Sequence, residues 1–410
     1  MSAGANLSFV DNIVHFPLTK VPFDVYSTIT YVLPASLSYI VVATLVMLPG
    51  TRTLRIALWP LIALLAFRAA VCVDFSNGDP QSTYLNVDFA LVMLCVAIRT
   101  LEWTFLKEPL KRHLRPANST SPSIILDALD LATNVRGIGW NWSKSVYVPP
   151  ETRPTSSRLV FCSYVFFSAI FHGFICGTLQ IAVQAFSPEA FTVLNGGSIF
   201  DEGLPPSIRY VRSSIIAVVT MFGIYTVMQF NYDVGTILGV VVFRQDPAQW
   251  PPVFQAPWMA TSLRDFWSRR WHQMFRRSFI VLGGWPLSFI SGHAGYILGS
   301  FLASGIFHNV VVLMLNGSVE MGCMLLSFGM MATGIVLEDV FTRFTGRTVG
   351  GWKGRLWTAA WLLVWGNLMV DGFARAGMFA SSNVLDSASP ARAVVERHVF
   401  AFDRWLHTFV

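Results

Sequence analysis

Between Thr261 and Arg277 the chain reads TSLRDFWSRRWHQMFRR, with Arg264, Arg269, Arg270, Arg276 and Arg277 interleaved among Phe266, Trp267, Trp271, His272 and Phe275. Further along, His308 stands in FLASGIFHNVVVLML, and no Asp, Glu, Lys or Arg lies between Arg277 and His308. A guanidinium binds two phosphate oxygens at once through its planar fork. A histidine titrating near neutrality takes a proton and returns it. The pairing therefore points to a charged substrate held at the basic segment and proton transfer at His308. An ionisable residue inside an apolar helix is costly and faces an interior cavity. Ser304 and Phe301 fall on the His308 face of that helix, where substrate would sit. Gly299, Ser300, Ala303 and Gly305 keep the helix slender beside it. The competing structural accounts are a histidine bonded to a neighbouring helix, with small residues for close packing, and a basic aromatic stretch anchoring a helix at an anionic surface.

The elements that position these residues are membrane helices. The chain has 410 residues, 53% of them hydrophobic and 13% charged, with a mean hydropathy of +0.53; soluble domains carry about 25% charged residues. The formal charge of +6 sits in short clusters between apolar runs, which the positive-inside rule explains and nucleic-acid binding does not. Cys72, Cys95, Cys162, Cys176 and Cys323 lie in or near apolar stretches without metal-ligand spacing and read as small buried hydrophobes, so no metal site is expected. The stretch up to Asp24 lacks the basic and apolar regions of a signal peptide, so the first span is expected to act as the targeting signal.

The expected fold is an all-α polytopic membrane domain covering residues 1–410. About eight spans are read at 26–48, 56–73, 87–105, 159–185, 213–243, 293–315, 323–340 and 356–375. The stretch from Ser278 to Ile290 contains Gly283, Gly284 and Pro286 and reads as a re-entrant or broken segment. Lys and Arg collect at Arg52 and Arg55, at Lys107, Lys111, Arg112 and Arg115, at Arg244 with the 264–277 cluster, and at Arg343, Arg347, Lys353 and Arg355. These connections alternate, so all of them can face the cytosol together, leaving the N-terminus lumenal. Residues 106–158 form a cytosolic insert, residues 259–310 the catalytic region, and residues 381–410 an interfacial amphipathic tail, with Val394, Phe400, Trp405 and Phe409 among charges. Elsewhere in the spans, His172 and Cys176 read as a packing pair, and Glu338 and Asp339 as interfacial residues. Gln229, Asn231 and Asp233 read as lining a cavity or capping a broken helix.

RDFWSRRWHQMFRR followed by FLASGIFH resembles the paired signature of the wax-synthase branch of the membrane-bound O-acyltransferases, a tryptophan-rich basic segment and then a histidine helix. ALDLATNVRGIGWNW, from Ala128 to Trp142, is similar to the cytosolic segment of fungal wax-synthase-like proteins, many of which acetylate terpenoid or meroterpenoid alcohols. The likeness lies in three islands between Ala128 and His308. It implies His308 as the general base that takes the proton of an acceptor hydroxyl. His272, where many relatives carry asparagine, would polarise the thioester carbonyl or shape the site. Trp267 and Trp271 would line the acyl-CoA entry, with Arg264, Arg269, Arg270 and Arg276 on the carrier. The resemblance also implies acetyl-CoA or another acyl-CoA as co-substrate, no bound cofactor, a hydrophobic alcohol as acceptor and residence in the endoplasmic reticulum. A long-chain wax synthase is the alternative within this chemistry, and a transporter or scaffold the alternative outside it. Oligomeric state does not follow from these residues.

Overall fold

The computed structural model describes residues 19–114, 123–143, 147–318, 320–380 and 390–409. Long apolar runs become helices because a helix satisfies every backbone donor and acceptor internally, as a lipid environment requires. Seven described segments are long and apolar enough to cross a membrane.

The chain divides into two compact units. The first contains α1 (Val25–Leu45), α2 (Arg52–Cys72) and α3 (Tyr84–Phe105), all membrane-length, and the shorter α4 (Ile124–Thr133). Two-residue strands, Val21–Pro22 and Val73–Asp74, pair in parallel. Arg99 of α3 donates to the carbonyls of Leu131 and Ala132 at 2.8 and 3.0 Å. A cation at the exposed carbonyls of a helix C-terminus is electrostatically favourable, so Arg99 fastens the end of α4.

The second unit contains α5 (Arg158–Phe186), α6 (Pro206–Ile237), α7 (Trp285–Asn316), α8 (Met321–Thr345), α9 (Gly351–Arg375) and α10 (Pro390–Leu406). A π-helical turn extends α6 to Val242, giving a 37-residue segment, far longer than the about 20 residues a bilayer needs. The eighth expected span, 356–375, is the helix α9, which is not among the seven. Its buried Asn367 and Asp371 explain why. Asp371 accepts from Ser198 Oγ at 2.7 Å, Ile199 N at 2.9 Å and Arg375 Nε at 2.7 Å, so this end of α9 is built for protein contact rather than for lipid. The tail helix α10 is held by Arg212, which donates to Asp403 at 2.7 Å. Val394, Phe400, Trp405 and Phe409 remain exposed, as an interfacial helix requires; residues 381–389 of the expected tail lie outside the described residues.

The stretch from Ser278 to Ile290 is broken from the helix that follows. A helical turn at Arg276–Phe279 runs into a π-helical turn at Ile280–Gly284 and then into α7, whose helix is interrupted at Ser291 and Gly292. Gly292 has a φ of +57°, a conformation that suits glycine. The chain reverses there, and the 280–290 arm packs back on the start of the His308 helix so tightly that only glycine fits. A Cβ on Gly283 would lie 2.0 Å from the Gly299 carbonyl oxygen, and one on Gly299 would lie 2.1 Å from that of Gly283. This re-entrant hairpin fixes where the His308 helix begins. Gly283→Ala should therefore destabilise the protein by roughly 1–3 kcal/mol, seen as a lowered midpoint of thermal unfolding in detergent, whereas Gly346→Ala, where nothing lies within 4 Å of the added carbon but φ is +67°, should cost only backbone strain.

Candidate active site

The basic aromatic segment is held at its start by one buried carboxylate. Ser262 caps the turn Leu263–Asp265, its Oγ accepting from Asp265 N at 2.9 Å. Glu338 of α8 accepts from the backbone N–H groups of Leu263 at 2.7 Å and Arg264 at 3.1 Å, and from Trp357 Nε1 of α9 at 3.0 Å. Glu338 is 5% exposed: the free N–H groups of a helix start draw the carboxylate inward. A π-helical turn, Phe266–Arg270, follows.

The arginines fall into two groups. Arg264 pairs with Asp339. Arg270 donates to Asp265 at 2.6 Å and to the carbonyls of Gln255 and Ala256 at 3.2 and 3.3 Å. Arg276 donates to Ser268 O and Gln273 Oε1, both at 3.0 Å, and Arg277 to Trp142 O at 2.8 Å. These four brace the segment against the rest of the protein. Arg269 alone of the five is exposed, its guanidinium 5.9 Å from the Tyr147 ring centroid and without an ionic partner among the described residues. Of the arginines expected on the carrier, it is the one whose donors are uncommitted. Residues 134–142 of the expected insert pack on the same region: Arg136 binds Tyr232 Oη and the carbonyls of Pro251 and Pro252.

His308 is held in one tautomer. Its Nδ1 lies 2.7 Å from the Ser304 carbonyl oxygen, a group that only accepts, so Nδ1 carries the proton and Nε2 the lone pair. Nε2 has no protein partner among the described residues. The ring stacks on Phe328 at 4.9 Å and lies among Phe279, Phe307 and Phe373. Ser304, expected to face substrate, holds the base instead through its carbonyl, and Phe301 packs edge-on against Trp267 at 5.5 Å. His272 sits against Trp271, Phe254 and Phe275 at 5.6, 6.0 and 6.2 Å, with its Nδ1 sealed and unpartnered. Burial first, and the neighbouring His308 second, push its pKa down to about 3, so the imidazole is neutral at any working pH. Phe275 packs against both His272 and Phe307, and Phe307 against His308. The two histidines thus bracket a small aromatic cluster.

A cavity of about 450 Å³ opens on the other side of the tryptophans, between α6, α9 and the segment. Trp267 and Trp271 form part of its wall, together with Tyr225, Trp258, Arg355 and Thr358, whereas His308, His272, Ser304 and Phe301 do not. None of Tyr225, Trp258 or Thr358 stands out in the sequence, because a cavity wall drawn from two helices and a loop has no linear pattern. Among the described residues, no group of three or more His, Cys, Asp and Glu could hold a metal ion.

His172 has a different neighbourhood from the one expected. Its Nδ1 lies 2.8 Å from the Ser168 carbonyl and 3.7 Å from Asp233 Oδ2. Asp233 in turn accepts from Ser168 Oγ at 2.6 Å and Gln229 Nε2 at 2.8 Å. This polar cluster packs α5 on a continuous α6 rather than capping a break. A signal was present: SAIFH at 168–172 repeats the SGIFH of 304–308, and both give the same histidine-to-carbonyl bond. The sign of the His272 shift makes a prediction. Its folded pKa lies below the unfolded value, 6.5 against about 3, so only the unfolded chain binds this proton within that window and stability falls as pH drops from 6.5. His272→Asn removes this contribution, and its unfolding midpoint should fall less than that of the unsubstituted protein between pH 7 and pH 5.

Residues 250–330, which hold the segment, the hairpin and His308, match the family model described as the membrane bound O-acyl transferase family. The chain is 29% identical over 270 residues to an O-mevalon transferase of Aspergillus niger, covering 57% of this chain and 58% of that protein. It is 25% identical over 341 residues to an acetyltransferase of Rhodocybe pseudopiperita, covering 76% and 84%, and 27% identical over 315 residues to an acetyltransferase of Arthrobotrys oligospora, covering 66% and 61%. No solved structure matches the chain. The matched region and these relatives make the chain similar to the membrane bound O-acyl transferase family, and its seven apolar helices are those of a multi-pass membrane protein.

Proposed function

We propose that the protein is an acyl-CoA-dependent O-acyltransferase that moves an acetyl group from acetyl-CoA to a hydroxyl of a hydrophobic terpenoid or meroterpenoid, in secondary metabolism at the endoplasmic reticulum. The observation that carries this reading is the fixed tautomer of His308, which presents a lone pair at Nε2 inside an apolar shell. The names of the relatives, acetyltransferases among them, support the acyl group. The alternating basic connections support a cytosolic donor side and a lumenal N-terminus.

The chemistry is direct transfer. Nε2 of His308 takes the alcohol proton as the oxygen attacks the thioester carbonyl carbon. The carbon–sulfur bond then breaks, and the departing CoA thiolate takes the proton back from the imidazolium, so charge and protons balance without a covalent enzyme intermediate. A thioester is already activated, and the main demands are a positioned base and exclusion of water, which the Phe279, Phe307 and Phe328 rings supply. His272, uncharged, assists by donating its ring N–H to the carbonyl oxygen without drawing the proton away from His308. The hydroxyl reaches His308 from the cavity by displacement of the aromatic side chains between them.

Membranes containing the protein, given acetyl-CoA and a panel of hydrophobic alcohols, should form an acetate ester and release free CoA; with palmitoyl-CoA in competition, acetyl transfer should dominate. Preferred palmitoyl transfer to a fatty alcohol would establish the wax-synthase alternative. Because Arg269 holds the uncommitted guanidinium, Arg269→Ala should raise KM for acetyl-CoA about tenfold, in line with the loss of one charge-assisted hydrogen bond, and leave KM for the alcohol unchanged. An effect confined to the alcohol would contradict the assignment of Arg269 to the carrier.

A further inference from the structure

Two aromatic hydrogen-bonding groups in the wall of the 450 Å³ cavity, on Tyr225 and Trp271, have no protein acceptor among the described residues. Buried tyrosine hydroxyls and tryptophan N–H groups ordinarily find partners, and elsewhere in this unit they do: Trp250 donates to Gln245 at 2.9 Å, Trp357 to Glu338 at 3.0 Å and Trp361 to the Met330 carbonyl at 2.9 Å. In the cavity wall the pattern is reversed. Tyr225 Oη and Trp271 Nε1 have no hydrogen-bond partner among the described residues, whereas Trp258 is 58% exposed and its N–H needs none. Trp267 Nε1 is also unpartnered, but it has no accessible surface and so does not open on the cavity. Thr358 is already spent, its Oγ1 donating to the Gly354 carbonyl at 2.7 Å. The wall holds no carboxylate, and its one charge is Arg355.

A wall that offers aromatic faces and unanswered donors is complementary to a compact apolar body carrying oxygen acceptors. We infer that the cavity binds the acceptor substrate as a polyoxygenated hydrophobic molecule, and that the Tyr225 hydroxyl is a specificity-determining contact to an oxygen other than the one acylated. This rests on the transferase reading for the identity of the ligand as acceptor, but it adds a chemical class: hydroxy-ketones, diols or lactones with a rigid carbon skeleton, as against simple straight-chain alcohols. Tyr225 is held for this role by Phe254 at 4.7 Å, Trp258 at 5.7 Å and His172 at 5.9 Å. The Ser168, His172 and Asp233 cluster thus backs the wall behind the tyrosine.

Binding can be measured without turnover. The intact protein in lipid nanodiscs is titrated, in the absence of acetyl-CoA, with a bicyclic C15 hydroxy-ketone, with the same skeleton as a mono-alcohol, and with hexadecanol, following quenching of tryptophan fluorescence. The expected result is about tenfold tighter binding of the hydroxy-ketone than of the mono-alcohol, with hexadecanol weakest. Tyr225→Phe should reduce the discrimination between the first two about fivefold, the loss expected for one hydrogen bond. Equal affinity for the two bicyclic ligands in the unsubstituted protein, tighter binding of hexadecanol, or undiminished discrimination in a folded Tyr225→Phe protein would overturn the inference. If Tyr225→Phe does not fold, the three-ligand comparison in the unsubstituted protein decides alone. Retained discrimination without any ester product would count against the transferase reading and leave this inference standing; ester formation without discrimination would do the reverse.

Discussion

The Glu338 carboxylate is the interaction on which the site depends. A charge on a membrane helix is expensive unless hydrogen bonds replace the water it has lost. Here it accepts two backbone N–H groups at the start of the Leu263 turn and the indole N–H of Trp357, so α8, α9 and the basic segment are fixed at one point. Everything downstream inherits that position. The π-helical turn beyond it sets Trp267 and Trp271 in the cavity wall, Trp267 meets Phe301 on the His308 helix, and His272 comes to rest behind the tryptophans. The glycine-lined hairpin fixes the same helix at Gly299, two residues before Phe301.

Much of the helical framework was legible in the sequence because lipid leaves the backbone few options. Seven of the expected spans correspond to apolar helices, and Gly283, Gly284 and Pro286 marked the broken segment correctly. α9 differs from the other expected spans in carrying Asn367 and Asp371, which are answered by Ser214, Ser198 and Ile199, residues far away in the chain. The partners of the arginine cluster were hidden for the same reason. Its charge was evident, but the carboxylates and carbonyls that occupy Arg264, Arg270 and Arg276 are brought together only by folding. The cavity left no trace in the sequence at all.

The two SxIFH histidines show how environment divides one local geometry into separate roles. Each donates Nδ1–H to the carbonyl four residues earlier. His172 then meets the buried Asp233, a partner supplied by α6, and becomes part of a polar cluster supporting Tyr225. His308 meets phenyl rings alone, so its Nε2 lone pair is neither neutralised nor occupied. An unoccupied ring nitrogen next to a water-poor aromatic shell is what the proposed direct acyl transfer requires, and the family match over residues 250–330 covers His308 and the basic segment.

The most direct test of this account is the rate of CoA release from acetyl-CoA, with an accepted alcohol at saturation, by the intact protein and by His308→Ala of matched unfolding temperature. Loss of a general base predicts a fall of about 10²–10⁴-fold in kcat with little change in the KM for acetyl-CoA. Full activity in His308→Ala would show that the proton is taken elsewhere and would contradict the central claim.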